Sequence, residues 1–217
     1  LTDGQADAGA IALCADGRTL YTAGYVGTQA VVWKDADLLY TLTDGSSSAE
    51  ATAVCRSGSA LYAAGYQVDG FENEGVVWKN GQELYALTDG TNNAWAYSVS
   101  VDNSTVYTAG YEQQGDAIVG KIWVNGTLKY TVAPASGSAY LYSISAANGS
   151  LYVAGSEDTD GALTAKIWKD GAEAYAYSVS PAVSQARAVT VSGSDVYAAG
   201  SLQSGLEKQL AVVWKND

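Results

Sequence analysis

Six residues of this 217-residue chain have the chemistry to hold a flat polar ring: Trp95, Tyr97, Tyr140 and Tyr142, with Glu50 and Arg187 as charged neighbours. They stand at matching positions of an internal repeat. The aligned pairs are Gly9/Ile11, Glu50/Thr52, Trp95/Tyr97, Tyr140/Tyr142 and Gln185/Arg187. Aromatic faces beside a few hydrogen-bonding groups are a common means of binding sugars and other flat ligands. The same large side chains would also serve as plugs in a wide gap between packed sheets. The six residues form the predicted ligand-binding set, with a glycan or another surface protein as the expected partner.

The sequence offers less to catalysis. It contains no His, which removes the commonest neutral-pH base and every Ser-His or Cys-His arrangement. Most glycosidases need two facing carboxylates about 5 to 9.5 Å apart. The acids Asp69, Glu72, Glu74, Glu112, Asp116, Glu157, Asp158 and Asp160 all read as members of polar loops. The expectation is therefore a protein that is not an enzyme, with no catalytic residues, no cofactor and no metal. A glycan-active enzyme is the alternative. The acidic runs 157–161 and 3–7 suit ordinary Asp-Gly turns better than a Ca²⁺ loop.

The elements that must position these residues follow from the repeat. Trp33, Trp78, Trp123, Trp168 and Trp214 are spaced 45, 45, 45 and 46 residues apart, and an Ala-Gly pair precedes each. In the second copy, residues 51–55, 61–66, 76–79 and 83–88 read as four short strands. The Asn80-Gly81 corner between the last two is a strong hairpin signal, and it recurs as Asn125-Gly126 and Asp170-Gly171. Four-stranded meanders at this period bury their faces by stacking around an axis. The predicted fold is all-β: a single five-bladed β-propeller domain over residues 1–217.

Small residues on the first strand, such as Ala51 and Ala53, fit the crowded centre, while the Trp ladder fits the wider gap further out. The opening LTDG matches the fourth-strand ends at 42–45 and 87–90, so the N-terminal strand is expected to close the last blade beside Trp214. The counterpart of Glu83 to Ala86 is missing ahead of Leu1. The fifth-blade edge is therefore a candidate for self-association by strand donation, which could build a surface filament.

The recurring pattern [LV]-Y-x-A-G-[YS], W-K-[ND]-G and L-T-D-G spans the whole chain and resembles bacterial cell-surface propeller repeat proteins of uncharacterised function. The resemblance implies fold and an extracellular or cell-surface location rather than a reaction. In blade count alone the chain also resembles tachylectin-like lectins and five-bladed glycosidases.

Charge narrows the partners. With 11 basic and 23 acidic residues the net charge is -12, which disfavours nucleic acid and anionic membranes. No apolar run is long enough for a membrane-spanning helix. Cys14 and Cys55 share a column filled elsewhere by Ser100, Ser145 and Thr190, so two buried free thiols are expected. The sequons at Asn103, Asn125 and Asn148 read as turns.

Overall fold

Short runs of β-branched, aromatic and small residues between Asn-Gly and Asp-Gly corners cannot sustain helices, and each repeat forms an antiparallel meander. The computed structural model describes residues 2, 4–177, 183–204 and 208–216. Among these there are nineteen strands.

The first sheet holds β1 (Ala8–Asp16), β2 (Thr19–Val26), β3 (Gln29–Lys34) and β4 (Asp37–Thr41) in chain order. The second holds β5 (Ala49–Ser57), β6 (Ala60–Asp69), β7 (Glu72–Lys79) and β8 (Gln82–Ala86). The third holds β9 (Ala94–Asp102), β10 (Thr105–Gln114), β11 (Ala117–Val124) and β12 (Thr127–Val132). The fourth holds β13 (Ser138–Ala147), β14 (Ser150–Thr159), β15 (Ala162–Lys169) and β16 (Ala172–Tyr177). The fifth has three strands among the described residues: β17 (Val183–Ser192), β18 (Asp195–Ser204) and β19 (Lys208–Lys215).

Five meanders of this kind are the blades expected of a five-bladed propeller. Closure by the N-terminal strand is a separate matter. Thr2 and Gly4 lie in no strand, and Leu1 and Asp3 lie outside the described residues.

The corners obey their chemistry. Asn80 and Gly81 have φ of 50° and 84°, and Asp170 and Gly171 have 51° and 82°, which is the doubly positive turn that matches strand twist. The Asn80 carboxamide oxygen also accepts the Leu61 N–H at 2.9 Å. The same bond recurs from Asp35, Asn125, Asp170 and Asn216 to the start of the second strand in their own sheets. Asn125 of one sequon is thus committed to a structural turn.

By contacts the chain divides into two compact units, Leu1–Thr108 with Val124–Thr127, and Ala109–Trp123 with Leu128–Asp217. In the first, Tyr21, Ala23 and Val32 of one sheet pack on Ala51, Val54, Leu61, Ala63 and Trp78 of the next. In the second, Ala154, Ala165, Ile167 and Tyr177 pack on Ala186, Val189, Val196 and Ala198. Trp33, Trp78, Trp123 and Trp168 are all buried, so the tryptophan ladder is core. Trp214 stacks on Tyr177 with centroids 4.7 Å apart.

Two features set the geometry near the head of each first strand. A β-bulge interrupts the register between Ala10 and Ala12, Ala51 and Ala53, Leu141 and Ser143, and Ala186 and Ala188. Opposite each bulge stands the Gly of the Ala-Gly pair. A Cβ at Gly24, Gly65, Gly155 or Gly200 would overlap the carbonyl oxygen of Gly9, Glu50, Tyr140 or Gln185 respectively. The repeated Gly is therefore needed to let the bulged strand approach.

The segments joining second and third strands differ from their sequence reading. They are not polar loops. Strand pairing runs on through Gln67↔Glu74 and Asp69↔Glu72, leaving Gly70-Phe71 as a two-residue tip. The tips at Gly27-Thr28, Gly115-Asp116 and Asp160-Gly161 are equally short. Glu72, Glu74, Glu112 and Glu157 consequently sit on strands.

Candidate functional site

The bulges explain why residues two apart in sequence form a pair at the head of each first strand. Ile11, Thr52, Tyr142 and Arg187 are the unpaired bulge residues, and a bulge re-aims the side chain it carries. Thr52 is turned inward and buried. Its hydroxyl lies 2.5 Å from the Ala96 carbonyl on β9 and 3.1 Å from the Ala64 carbonyl. It ties the second sheet to the third and is unavailable to a ligand.

In the first unit the chemistry gathers at Glu50. This residue is half-buried, directly opposite Tyr66 in the β5–β6 ladder, and Tyr66 Oη donates to its Oε2 at 3.4 Å. Burial raises the Glu50 pKa above the ordinary carboxylate value, and the Tyr66 hydrogen bond opposes the rise only in part. Tyr66 itself is pushed up to about 12, first by burial and then by the Glu50 charge, with Tyr97 and Tyr25 contributing further. Tyr97 and Tyr25 are thus near enough to Tyr66 to act on it. Trp95, also half-buried, lies on β9 two residues before Tyr97.

In the second unit the aromatic members of the set come together with Arg187. Tyr140 and Tyr142 stack with centroids 6.4 Å apart and planes 8° apart. Tyr111 meets Tyr140 edge-on at 5.5 Å. The Arg187 guanidinium lies 4.3 Å from the centroid of the Tyr142 ring and donates to the Gln185 side-chain oxygen. The result is an exposed cation held over a phenol, beside two further rings.

Tyr25, Tyr66 and Tyr111 were missed by the sequence reading, which treated the residue after Ala-Gly as part of the scaffold. The signal was present: this column reads Tyr25, Tyr66, Tyr111, Ser156, Ser201, changing type part-way along the chain.

The acids that read as members of polar loops also need correction. Glu112 pairs with the buried Lys121 at 3.3 Å, and Glu157 pairs with Lys166, which also reaches Glu173 at 2.6 Å. Glu74 has a raised pKa, caused first by burial and also by the nearby Glu83, Asp69 and Asp89. It lines a polar cleft of about 370 Å³ with Asp44, Ser46, Gln67 and Asp69. Asp44 is held below the usual range by hydrogen bonds from Ser46.

No group of three or more Cys, Asp or Glu side chains among the described residues is arranged to hold a metal ion. Cys14 and Cys55 are unbonded, and burial pushes the Cys55 thiol up to about 12. Such a thiol is a poor nucleophile.

No protein-family model matches the chain, and no curated protein matches it in sequence. Among solved structures the fold is similar to that of a thermostable family-43 glycoside hydrolase. The match has a TM-score of 0.54 and 13% identity, and covers 92% of this chain and 85% of the other. At that identity the likeness establishes fold, and the fold it matches is a five-bladed propeller. It also overturns the expectation that the chain is not an enzyme. That expectation rested on fold-neutral repeats and on acids placed in loops. The matching fold instead carries glycoside hydrolysis in another protein, and Asp69, Glu72, Glu74, Glu112, Glu157 and Asp158 lie on strands, with only Asp116 and Asp160 of those acids at tips.

Proposed function

We propose that this protein is a glycan-active enzyme that hydrolyses glycosidic bonds, with Glu50 as the group that handles the proton at the reaction centre. The observation carrying this reading is the Glu50 carboxyl, half-buried at the head of a first strand, touched by a phenol and raised in pKa by burial. A carboxyl that retains its proton at a higher pH than usual is suited to transferring it to or from a glycosidic oxygen. Tyr97 and Tyr25, near Tyr66, offer ring faces for a sugar. Within the second unit, Tyr140, Tyr142, Tyr111 and Arg187 form a stacking surface of their own that suits a sugar ring. The match to a glycoside hydrolase fold supports the same class of substrate.

We place the protein outside the cytoplasm, in keeping with the resemblance of its repeats to cell-surface propeller repeats. The test is release of reducing ends or of a chromophore from a panel of polysaccharides and aryl glycosides, with the parent and Glu50→Gln side by side. Turnover by the parent that falls at least about 100-fold in Glu50→Gln supports the reading, since general acid–base groups contribute on that order. Absence of turnover by the parent, or equal turnover by the variant, overturns it.

A further inference from the structure

The fifth sheet carries an open groove of about 550 Å³ to which all three of its described strands contribute. Gln185 and Arg187 of β17, Ser201 of β18 and Gln209 of β19 supply its polar lining, and the small side chains of Ala199 and Ala211 leave it room. Register sets Gln185 opposite Ser201 and Ser201 opposite Ala211, so these three share one face of the sheet.

The polar groups are held in place before any ligand arrives. Gln209 Nε2 donates to Ser201 Oγ at 2.8 Å. Arg187 donates to the Gln185 side-chain oxygen, and its guanidinium lies 4.3 Å from the centroid of the Tyr142 ring. A guanidinium has five N–H donors, and the bond to Gln185 occupies one. Contact with a ring engages the flat face of the cation and leaves its N–H edges for an acceptor. Among the described residues Arg56, Lys121, Lys166 and Lys215 each pair with a carboxylate, and Arg187 does not. The scaffold does not require a cation here. The same bulge position holds Ile11, Thr52 and Tyr142 in other sheets.

We propose that this groove is a subsite for an acidic sugar, a uronic acid whose carboxylate takes the N–H edge of Arg187. The inference rests on the glycan-active reading above for the class of its ligand. Two parallel N–H groups of a guanidinium match the two oxygens of a carboxylate, a fit that a neutral hydroxymethyl group cannot reproduce. Ser201, Gln185 and Gln209 line the same groove with donors and acceptors suited to ring hydroxyls. The net charge of -12 repels a polyanion, so the subsite suits a single uronic acid in an otherwise neutral glycan. Arg187 is a specificity residue: it selects the ligand and moves no proton.

The probes are nitrophenyl glycosides in matched pairs, glucoside against glucuronide and galactoside against galacturonide. Titration calorimetry reads affinity, and nitrophenol release reads turnover. In at least one pair the parent should bind the acid about three- to fivefold more tightly, the upper range for an exposed ion pair. The preference should shrink in 1 M NaCl, where charges are screened beyond about 3 Å. Arg187→Ala should bind both members of the pair equally. Equal affinity within every pair, a preference that survives in Arg187→Ala, or no binding of any probe overturns the proposal. Turnover of a glycoside without acid preference overturns the subsite and leaves the glycan-active reading standing. Acid preference without turnover of any glycoside does the reverse. The comparison within the parent stands even if the variant folds poorly.

Discussion

The second and fifth sheets start from one backbone plan and end with opposite chemistry. In both, a bulge follows the head of the first strand, and a Gly across from it admits the displaced carbonyl. On that frame the second sheet places Glu50 opposite Tyr66, and burial raises the carboxyl's pKa. The fifth places Gln185 opposite Ser201 and aims Arg187 over Tyr142 of the fourth. One place is an acid among phenols, suited to moving a proton. The other is a cation on stacked rings, suited to holding a ligand. The difference teaches that the repeat fixes where a side chain stands, while its departures decide what happens there.

The strongest way to break the comparison is through turnover. Glu50→Gln should reduce kcat/KM at least about 100-fold, as loss of a general acid–base group does. Tyr142→Ala, which dismantles the platform under Arg187, should act through KM by about tenfold or less, because aromatic pairs contribute on the order of 0.5 to 1.5 kcal/mol. Steady-state kinetics of the two variants on one substrate separates the roles. An effect of Tyr142→Ala on kcat as large as that of Glu50→Gln would erase the distinction between the sheets.

Next comes the shared frame. Gly65→Ala drives a methyl group into the Glu50 carbonyl and should cost about 1 to 3 kcal/mol, the usual range for overpacking, with Tm falling accordingly. Gly200→Ala should cost a similar amount, because its Cβ would meet the Gln185 carbonyl in the same way. Gly58→Ala is a useful contrast: its Cβ would meet nothing, and its penalty comes from φ of 57° alone. Thermal melts of the three variants test whether the two sheets depend on their Gly equally.

Legibility in the sequence divides along the same line. The 45-residue tryptophan spacing, the Asn-Gly and Asp-Gly corners and the four-strand meander were readable, because each repeats a local rule. The paired positions at the heads of the first strands were readable too, and the structure joins Tyr140, Tyr142 and Arg187 of the predicted set. Tyr66, Tyr25 and Tyr111 were not readable as site residues. Their column looks like scaffold until the bulge register sets Tyr66 against Glu50. The long hairpin arms were missed because Glu72, Glu74, Glu112 and Glu157 have polar, loop-like composition. Their place on strands comes from ladder pairing and, for Glu112 and Glu157, from lysine partners across the sheet, neither of which has a local signature.

A smaller effect belongs to Arg187. Arg187→Ala removes an exposed cation–π contact, which contributes about 0.5 to 1 kcal/mol at such sites. Tm should shift only slightly, and affinity for a glycan chain should fall by no more than about fivefold, the equivalent of that energy. Isothermal titration with an oligosaccharide substrate provides the measurement. A loss of several hundredfold would move the main recognition to the fifth sheet.

The smallest effect is on stability, and it turns on the direction of the Glu50 shift. Burial raises the folded-state pKa above the ordinary value of 4.5, so the folded protein holds this proton more tightly than the unfolded chain does. The stabilising contribution is fully present below that unfolded value and is lost as pH rises through the folded pKa. Above the folded pKa the folded state therefore bears an ionised, half-buried carboxylate that the unfolded chain can solvate better. Glu50→Gln cannot ionise, so its Tm relative to the parent should climb as pH rises from below 4.5 through the folded pKa and then level off. Tyr66→Phe removes the hydrogen bond that favours the ionised form, which should raise the Glu50 pKa further and move the parent's transition to higher pH. Thermal melts across the pH series read both effects. A Glu50→Gln curve parallel to the parent at every pH would mean that Glu50 titrates alike in the folded and unfolded chain, and the contrast with the fifth sheet would then rest on geometry alone.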